Sequence, residues 1–318
     1  MKHNDALVSI VLPTYNGEKY VEEQVRSLLE QTYRHLEIIV VDDRSTDRTL
    51  EIVRRLAAED GRIQVHANPE NLGLFANYLR GAARAKGEFV CVCDHDDTWR
   101  KDRVEILKDL LEKDDRNMMS YSDIEVCDEH LNFLRSSMGL TETRLNGGWL
   151  REKSLLKNVT THMMIRKKAN DLLVKVTDDA PFAHDHLMLI LSAGLGRVVY
   201  SKEVLIKYRQ HASNAIGAFY PSVIGKERVI KELAQKIAYL RQPPFKGLDL
   251  DLGRLERFSA SLRSRSLFKR APFIDYFLFL RNNTPVDKAL GCLECLLPAL
   301  YDWLSSKKQR PITIAEVR

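Results

Sequence analysis

Glu88-Phe89-Val90-Cys91-Val92-Cys93-Asp94-His95-Asp96-Asp97-Thr98-Trp99 is the stretch on which the reading of this chain turns. An apolar, β-prone run ends abruptly in three carboxylates, Asp94, Asp96 and Asp97, before residues 101–111 take up helical spacing. This is the pattern of a buried strand that delivers acids to its carboxyl end, the edge of an open α/β sheet where ligands sit. Carboxylates set so close repel one another unless a divalent cation or protons neutralise them. Oxygen ligands of this kind, combined with a diphosphate, suit Mg²⁺ or Mn²⁺. The stretch points to metal-dependent chemistry on a phosphorylated substrate; the plain alternative is a solvated acidic turn.

Upstream, residues 8–12 form a short β-rich run closed by Pro13, and residues 18–31 carry Val21, Val25, Leu28 and Leu29 on one helix face. The turn between them, Pro13-Thr14-Tyr15-Asn16-Gly17, offers hydroxyl and amide groups beside a helix amino terminus. A second buried strand, residues 36–41, runs into Asp42-Asp43-Arg44-Ser45-Thr46-Asp47, with a helix over 49–58 that Ser45 or Thr46 is expected to cap. Two adjacent aspartates exceed what capping requires, so one of them is expected to face a ligand. Residues 63–66 give a third strand, Asn71-Leu72-Gly73 a turn and residues 75–85 a helix leading into the central stretch. The alternation βαβαβαβ predicts an α/β fold with a doubly wound, largely parallel sheet.

The chain has 318 residues, 44% hydrophobic and 29% charged, the composition of a globular protein with a substantial core. No apolar run approaches the ~20 residues of a spanning helix, and the first residues lack an apolar signal core, so the expected location is cytoplasmic. Five cysteines, including the pair Cys91 and Cys93 and the lone Cys292-Leu293-Glu294-Cys295, read as packing rather than metal or redox groups. Net charge is +5, but residues 200–318 hold 21 Lys+Arg against 11 Asp+Glu, so the positive charge is carboxyl-terminal.

Taken in order, Val8 to Asn16, Ile39 to Asp47, Asn71 to Gly73 and Asp94 to Trp99 resemble the motifs of the family 2 glycosyltransferases of GT-A fold, a likeness covering residues 8 to about 110. It implies that Pro13, Tyr15 and Glu18 line a nucleotide pocket and that Asp43 accepts from N3–H of a uracil or thymine base. It further implies that Asp94 and Asp96 form the Asp-x-Asp pair holding Mg²⁺ or Mn²⁺ against the donor diphosphate, with Asp97 adjoining sugar or metal. A cation there stabilises the charge that develops on a departing nucleoside diphosphate.

Beyond residue 111 the reading is a strand over 118–121, a long irregular excursion over 122–146, and a return to the sheet over 155–165. Further on come Asp178 to His186 with a helix over 187–194, then Lys207-Tyr208-Arg209-Gln210-His211 with Asn214 and Gly217. These resemble the rhamnosyltransferase-like branch of the family. The resemblance makes Asp185 the general base that takes the acceptor hydroxyl's proton and places His211 close to metal and diphosphate. Without it, Asp185 reads as a helix amino-terminal cap. His184 and His186 are taken as orienting or surface groups, and Arg209 as a guanidinium suited to the diphosphate. The chain departs from the branch at Thr160-Thr161-His162, where a Gly-Cys-Thr type sequence is frequent; this bears on the acceptor side.

From residue 221 onward no motif appears: an amphipathic run over 223–240, a turn over 242–247, a basic helix over 252–268 with Arg254, Arg257, Arg263 and Arg265, and interrupted apolar stretches over 273–280 and 290–304. This region either docks on the catalytic domain or lies on an anionic membrane surface; no nucleic-acid-binding motif is visible. The expectation is an inverting, metal-dependent enzyme with a GT-A domain over 1–218 and a helical basic region over 219–318. It would move a sugar from a deoxythymidine or uridine diphosphate donor, rhamnose being favoured, to a surface polysaccharide or lipid-linked precursor, in the cytoplasm or at the inner membrane face. Two competitors stand beside it. One is a haloacid-dehalogenase-type phosphatase, with Asp94 as nucleophile and Asp178 and Asp179 as the later acidic pair; the other is a nucleotide-binding relative without turnover. A dinucleotide-binding dehydrogenase is excluded because no Gly-x-Gly-x-x-Gly follows the first strand.

Overall fold

A computed structural model describes residues 6–136, 162–176, 180, 182–212, 214, 226–243, 245–250, 252–253 and 256. The expectations for 137–161, 178–179 and the apolar stretches after residue 257 fall outside these. The chain divides into two compact units, Met1–Tyr220 with Ala238–Leu250, and Pro221–Ile237 with Asp251–Arg318.

In the first unit the chain runs β1 (Val8–Thr14), α1 (Val21–Leu29), β2 (Leu36–Asp42), α2 (Thr49–Glu59), β3 (Ile63–Ala67), α3 (Leu74–Ala82), β4 (Phe89–Val92), β5 (Thr98–Trp99) and α4 (Arg103–Glu112). It continues through β6 (Asn117–Cys127), β7 (Phe133–Ser136), β8 (Met163–Arg166), α5 (Lys167–Leu173), α6 (His184–Leu195) and β9 (Arg197–Arg209). A helix α7 (Lys226–Leu240) follows, and its residues Leu233 and Ile237, in the second unit, are buried. The sheet order is β3-β2-β1-β4-β8-β6-β9-β5, with β7 added on β6.

The first four strands are parallel; β1, β2 and β4 are near-continuous apolar runs buried on both faces, and β3, at the sheet edge, is only partly buried. Ile10, Leu12, Ile38, Val40, Phe89 and Val90 are fully buried, each worth roughly 1.5–3 kcal/mol of apolar burial. Because β1 lies between β2 and β4, pairing Thr14 with Asp42 and Val11 with Val92, the carboxyl ends of all three strands open on one edge. The other half is mixed: β8 runs antiparallel to β4 and β6, while β9 runs parallel to β6 and antiparallel to β5.

Three local expectations need correction. The segment after residue 121 is not an irregular excursion at first: β6 continues to Cys127 and turns back as β7. Asp128 makes that turn, its carboxylate accepting from the backbone N–H groups of His130 and Asn132 at 2.9 Å. Secondly, neither Ser45 nor Thr46 caps α2. The cap position falls on Arg48, whose side chain makes no cap bond; Asp47 just before it accepts from Thr49 N at 2.9 Å, while Ser45 Oγ donates to Asp42 at 2.6 Å. Thirdly, His184 and His186 are not surface groups; both are buried.

Candidate functional site

The open edge of the sheet is built from the loops after β1, β2 and β4. The first two are laced together: Asn16 N donates to Ser45 Oγ at 3.0 Å, Thr46 N to Asn16 Oδ1 at 2.8 Å, Gly17 N to Thr49 Oγ1 at 2.7 Å and Arg48 N to Glu18 at 3.0 Å. Asn16 and Arg44 sit in the left-handed backbone region, at φ 48° and 60°. Gly17 has no room for a side chain, since a Cβ would lie 2.3 Å from Cδ2 of the His95 ring. Pro13 is buried in β1, whereas Tyr15 turns outward with 46% of its surface exposed.

Asp43, just beyond the carboxyl end of β2, is buried. It accepts from Asn68 Nδ2 and Leu72 N at 2.9 Å and from Gly73 N at 2.8 Å. Gly73, at φ 81°, is the residue that lets the chain approach Asp43 and enter α3. A carboxylate offers about four acceptor positions, so one remains, on Oδ2.

The turn after β4 carries the acids. Asp97 is wholly buried; its Oδ1 accepts from Arg209 N at 2.9 Å, and its Oδ2 has no hydrogen-bond partner. Burial, reinforced by Asp96 and Asp94, pushes the Asp97 carboxyl well above the ordinary range. Asp96 shows the opposite result. Burial pushes its carboxyl up, but a hydrogen bond with His211, aided by the charges of His95 and His211, more than offsets this and holds it down. Its Oδ2 lies 2.9 Å from His211 Nε2 and accepts from Asn214 Nδ2 at 3.1 Å.

Asp94 instead joins Asp97 and His162. One ligand atom from each lies within 4.8 Å of the others, and among the described residues no further group of three metal-competent side chains is so drawn together. His162 Nε2 is 3.5 Å from Asp97 Oδ2, and neither ring nitrogen has a hydrogen-bond partner. Burial, with the nearby Arg103 charge, pushes the imidazole down to about 3. A carboxyl forced up and an imidazole forced down, both with orphaned atoms, are what a divalent cation would correct, because it favours carboxylate and neutral imidazole together. The residues present therefore fit Mg²⁺ or Mn²⁺. The metal set expected from sequence, Asp94, Asp96 and His211, is brought together only as the Asp96–His211 pair.

Arg209 does not reach outward. Its Nε donates to Asp96 O at 2.7 Å, and its Nη groups donate to Glu129 O and Glu23 Oε2. Its guanidinium carbon stands 4.7 Å from the Tyr20 ring centre. Tyr20 also packs on the His211 ring, at 4.7 Å between centroids. Arg103, fully buried against Trp99 at 3.7 Å, lies within electrostatic reach of Asp97.

Asp185, buried, lies in the first turn of α6, whose cap position is Ala183; its Oδ1 accepts from His186 N at 2.7 Å. The flanking histidines anchor this turn: His184 stacks on Tyr78 of α3 at 4.8 Å and His186 packs edge-on to Phe182 at 5.8 Å. The sequence reading missed Tyr20 and Arg103 as members of the site and gave no role to His162 or Asn214. His162 appeared only in the departure at Thr160-Thr161-His162, and Asn214 only as part of the motif after His211.

Parallel strands whose carboxyl ends carry an acidic turn, in a half-parallel sheet completed by β8, β6 and β9, have the architecture of the GT-A class. The fold matches that of Staphylococcus aureus TarS, residues 1–349, in complex with UDP-GlcNAc: TM-score 0.59 and 19% identity, covering 86% of this chain and 80% of that one. It also matches the mannosyltransferase PcManGT from Pyrobaculum calidifontis in complex with GDP-Man and Mn²⁺, with TM-score 0.52 and 20% identity over 94% of this chain and 83% of that one. The glycosyl transferase family 2 model matches residues 9–173, just over half of the chain, and the protein belongs to that family. An uncharacterized glycosyltransferase of Haemophilus influenzae is 28% identical over 229 residues, 68% of this chain and 69% of that protein. The putative teichuronic acid biosynthesis glycosyltransferase TuaG of Bacillus subtilis is 41% identical over 99 residues, 31% of this chain and 39% of TuaG. Family membership removes the phosphatase reading, because the matched span begins in β1 and takes in the first ninety residues, which that reading leaves unexplained. Among the described residues no helix is long and apolar enough to cross a membrane.

Proposed function

We propose that this chain is an inverting glycosyltransferase that moves a sugar from a uridine or deoxythymidine diphosphate donor to a hydroxyl of an envelope polysaccharide or its lipid-linked precursor. The observation that carries the proposal is the presence, at the carboxyl edge of the parallel strands, of a nearly saturated buried carboxylate (Asp43) and an acidic turn with orphaned buried ligand atoms; Asp185, in the first turn of a buried helix, is the base in this reading. The remaining acceptor position of Asp43 suits the N3–H of a pyrimidine base, with Pro13, Tyr15 and Glu18 along the pocket wall. Asp94 and its neighbours Asp96 and Asp97 would hold Mg²⁺ or Mn²⁺, which supplies charge stabilisation to the departing diphosphate. Asp185 removes the acceptor proton as the oxygen attacks the anomeric carbon on the face opposite that diphosphate. Arg209 keeps the turn in place through Asp96 O and Asp97 rather than touching phosphate, and His211 steadies Asp96 beside it.

The donor sugar is proposed as a hexose, with rhamnose the first to try, on the likeness of residues 207–217 to the rhamnosyl branch. Residues 1–218 form the catalytic domain in this reading. The basic region over 219–318 holds the enzyme at an anionic membrane face, where a lipid-linked acceptor is met; TuaG, a teichuronic acid biosynthesis relative, supports the envelope setting.

The test is calorimetric titration with UDP and dTDP, with and without Mn²⁺, on the wild type, Asp94→Ala and Asp185→Asn. Binding is expected to need both Mn²⁺ and Asp94. Asp185→Asn is expected to bind the nucleotide normally while donor turnover falls by about two or more orders of magnitude. Equal binding by Asp94→Ala, or near-normal turnover by Asp185→Asn, would overturn the respective assignment.

A further inference from the structure

We propose that a lysine-rimmed groove beside α5 holds the headgroup and glycerol of an anionic phospholipid, giving the catalytic unit its own contact with a membrane surface. This rests on the membrane setting proposed above and deepens it, by placing the lipid contact at particular side chains. One face of α5 and the turn that ends it carry Lys167, Lys168, Leu172 and Lys175, at the spacing that sets residues one helical turn apart side by side. Leu195, at the end of α6, and Leu248, after α7, complete the lining of a groove of about 500 Å³, all of it within the first unit. The three leucines are half-buried and the three lysines exposed. Leu248 is held firmly: Asp249 N donates to Gly194 O at 2.8 Å, and a Cβ on Gly194 would meet the Leu248 side chain at 3.0 Å. At Gly247, in contrast, a Cβ would meet nothing within 4 Å, so the groove is open there.

Charge selects the occupant. Lys167 is paired at 2.7 Å with Asp171, the one acid in the lining. Lys168 and Lys175 have no ion-pair partner among the described residues, and the exposed Lys246 adjoins Gly247. Ammonium groups beside half-buried leucines match a phosphodiester carried on an apolar stem. A nucleic acid would call for aromatic or guanidinium planes on which bases stack, and the lining has neither. The chain also leaves this groove directly into its basic region, where Arg254, Arg257, Arg263 and Arg265 follow. The position is separate from the donor site. Lys167 N donates to Glu88 O at 2.7 Å and Arg166 pairs with Phe89, so α5 starts at the amino end of β4. The acidic turn lies at the other end of that strand, roughly 20 Å away at about 3.3 Å per residue from Glu88 to Asp94. A lipid in the groove therefore leaves the carboxyl edge free for donor and acceptor.

The experiment is flotation of the full chain with vesicles of phosphatidylcholine, alone or mixed with phosphatidylglycerol in roughly equal parts. Calorimetry with short-chain phosphatidylglycerol, kept below its micelle-forming concentration, and with inorganic phosphate accompanies it. The wild type is expected on the mixed vesicles and not on pure phosphatidylcholine. Lys168→Glu with Lys175→Glu should weaken that binding by at least about tenfold, and Lys101→Glu with Lys202→Glu, exposed lysines outside the groove, by no more than about threefold. UDP affinity should be unchanged in both. Gly247→Leu, which fills the open space and leaves every lysine in place, should abolish binding of the short-chain lipid. Equal losses from the two lysine pairs would reduce the effect to net charge and overturn the inference, as would inorganic phosphate binding as tightly as the lipid. Tighter binding of poly-glutamate than of the mixed vesicles would assign the groove to an acidic protein and overturn it too. Vesicle binding that survives Lys168→Glu with Lys175→Glu but is lost in Arg254→Glu with Arg257→Glu would overturn the groove and leave the membrane setting intact. A wild type that binds neither vesicle would sink both.

Discussion

Replacing Arg209 by Met removes a guanidinium that is 3% exposed and leaves a side chain of similar reach. Two charge-assisted hydrogen bonds to backbone carbonyls go with it, Nε to Asp96 O at 2.7 Å and Nη1 to Glu129 O, each worth about 1.5–3 kcal/mol. The ion pair with Glu23 adds little, since Glu23 is 52% exposed and such pairs contribute about 0–1 kcal/mol. The backbone bond from Arg209 N to Asp97 survives the substitution. The expected loss is therefore about 3–6 kcal/mol, read in urea unfolding as a lower midpoint with unchanged slope. Mn²⁺-dependent UDP affinity should fall by about tenfold, because the turn carrying Asp96 and Asp97 loses its tether. Arg209→Lys keeps the charge but cannot bridge three acceptors with one ammonium, and should recover less than half of the stability. The decisive outcome is the combination of the two readouts. Unchanged stability with abolished nucleotide affinity would mean that the guanidinium touches the diphosphate, as the sequence first indicated, and the inward-facing account would be wrong.

Two further predictions follow from close contacts. Gly17→Ala pushes a Cβ to 2.3 Å from the His95 ring, so the imidazole must leave its place between the two loops. Nucleotide affinity should drop by about an order of magnitude with a stability cost of about 1–3 kcal/mol, and an unaffected titration would show that His95 moves freely. Burial holds His184 below its ordinary value of 6.5, despite the opposing pull of Asp185, so the folded protein keeps it neutral while the unfolded chain takes up a proton. Stability should accordingly fall as the pH drops below about 6.5, by up to about 1.4 kcal/mol per unit from this group. His184→Phe, which keeps the stack on Tyr78, should flatten that part of the profile; an identical slope would assign the acid sensitivity elsewhere.

Most of what depended on neighbouring residues was readable in the chain itself, the α2 cap and the Asp128 turn into β7 excepted. Runs such as Val8 to Leu12 and Ile38 to Val41 are apolar on both faces, which only a strand covered on both sides satisfies, and the acids that end the 89–93 run had to lie at a strand terminus. The succession of the first four strands with their helices follows, and with it the carboxyl edge that carries both Asp43 and Asp94. What sequence could not decide is which side chains meet across long separations. Arg209 contacts Asp97 over 112 residues, and its direction is set by the β6–β9 register that pairs Cys127 with Arg209, not by any property of Lys207-Tyr208-Arg209-Gln210. His162 likewise enters the acidic turn only because β8 is antiparallel to β4. The burial of His184 and His186 depends on α3 and on Phe182, which no periodicity in their own segment reports. Local pattern fixes which backbone a segment adopts, because hydrogen bonding and apolar periodicity act over a few residues. The partners of a polar side chain are chosen by sheet register and packing, and those exist only in the folded molecule.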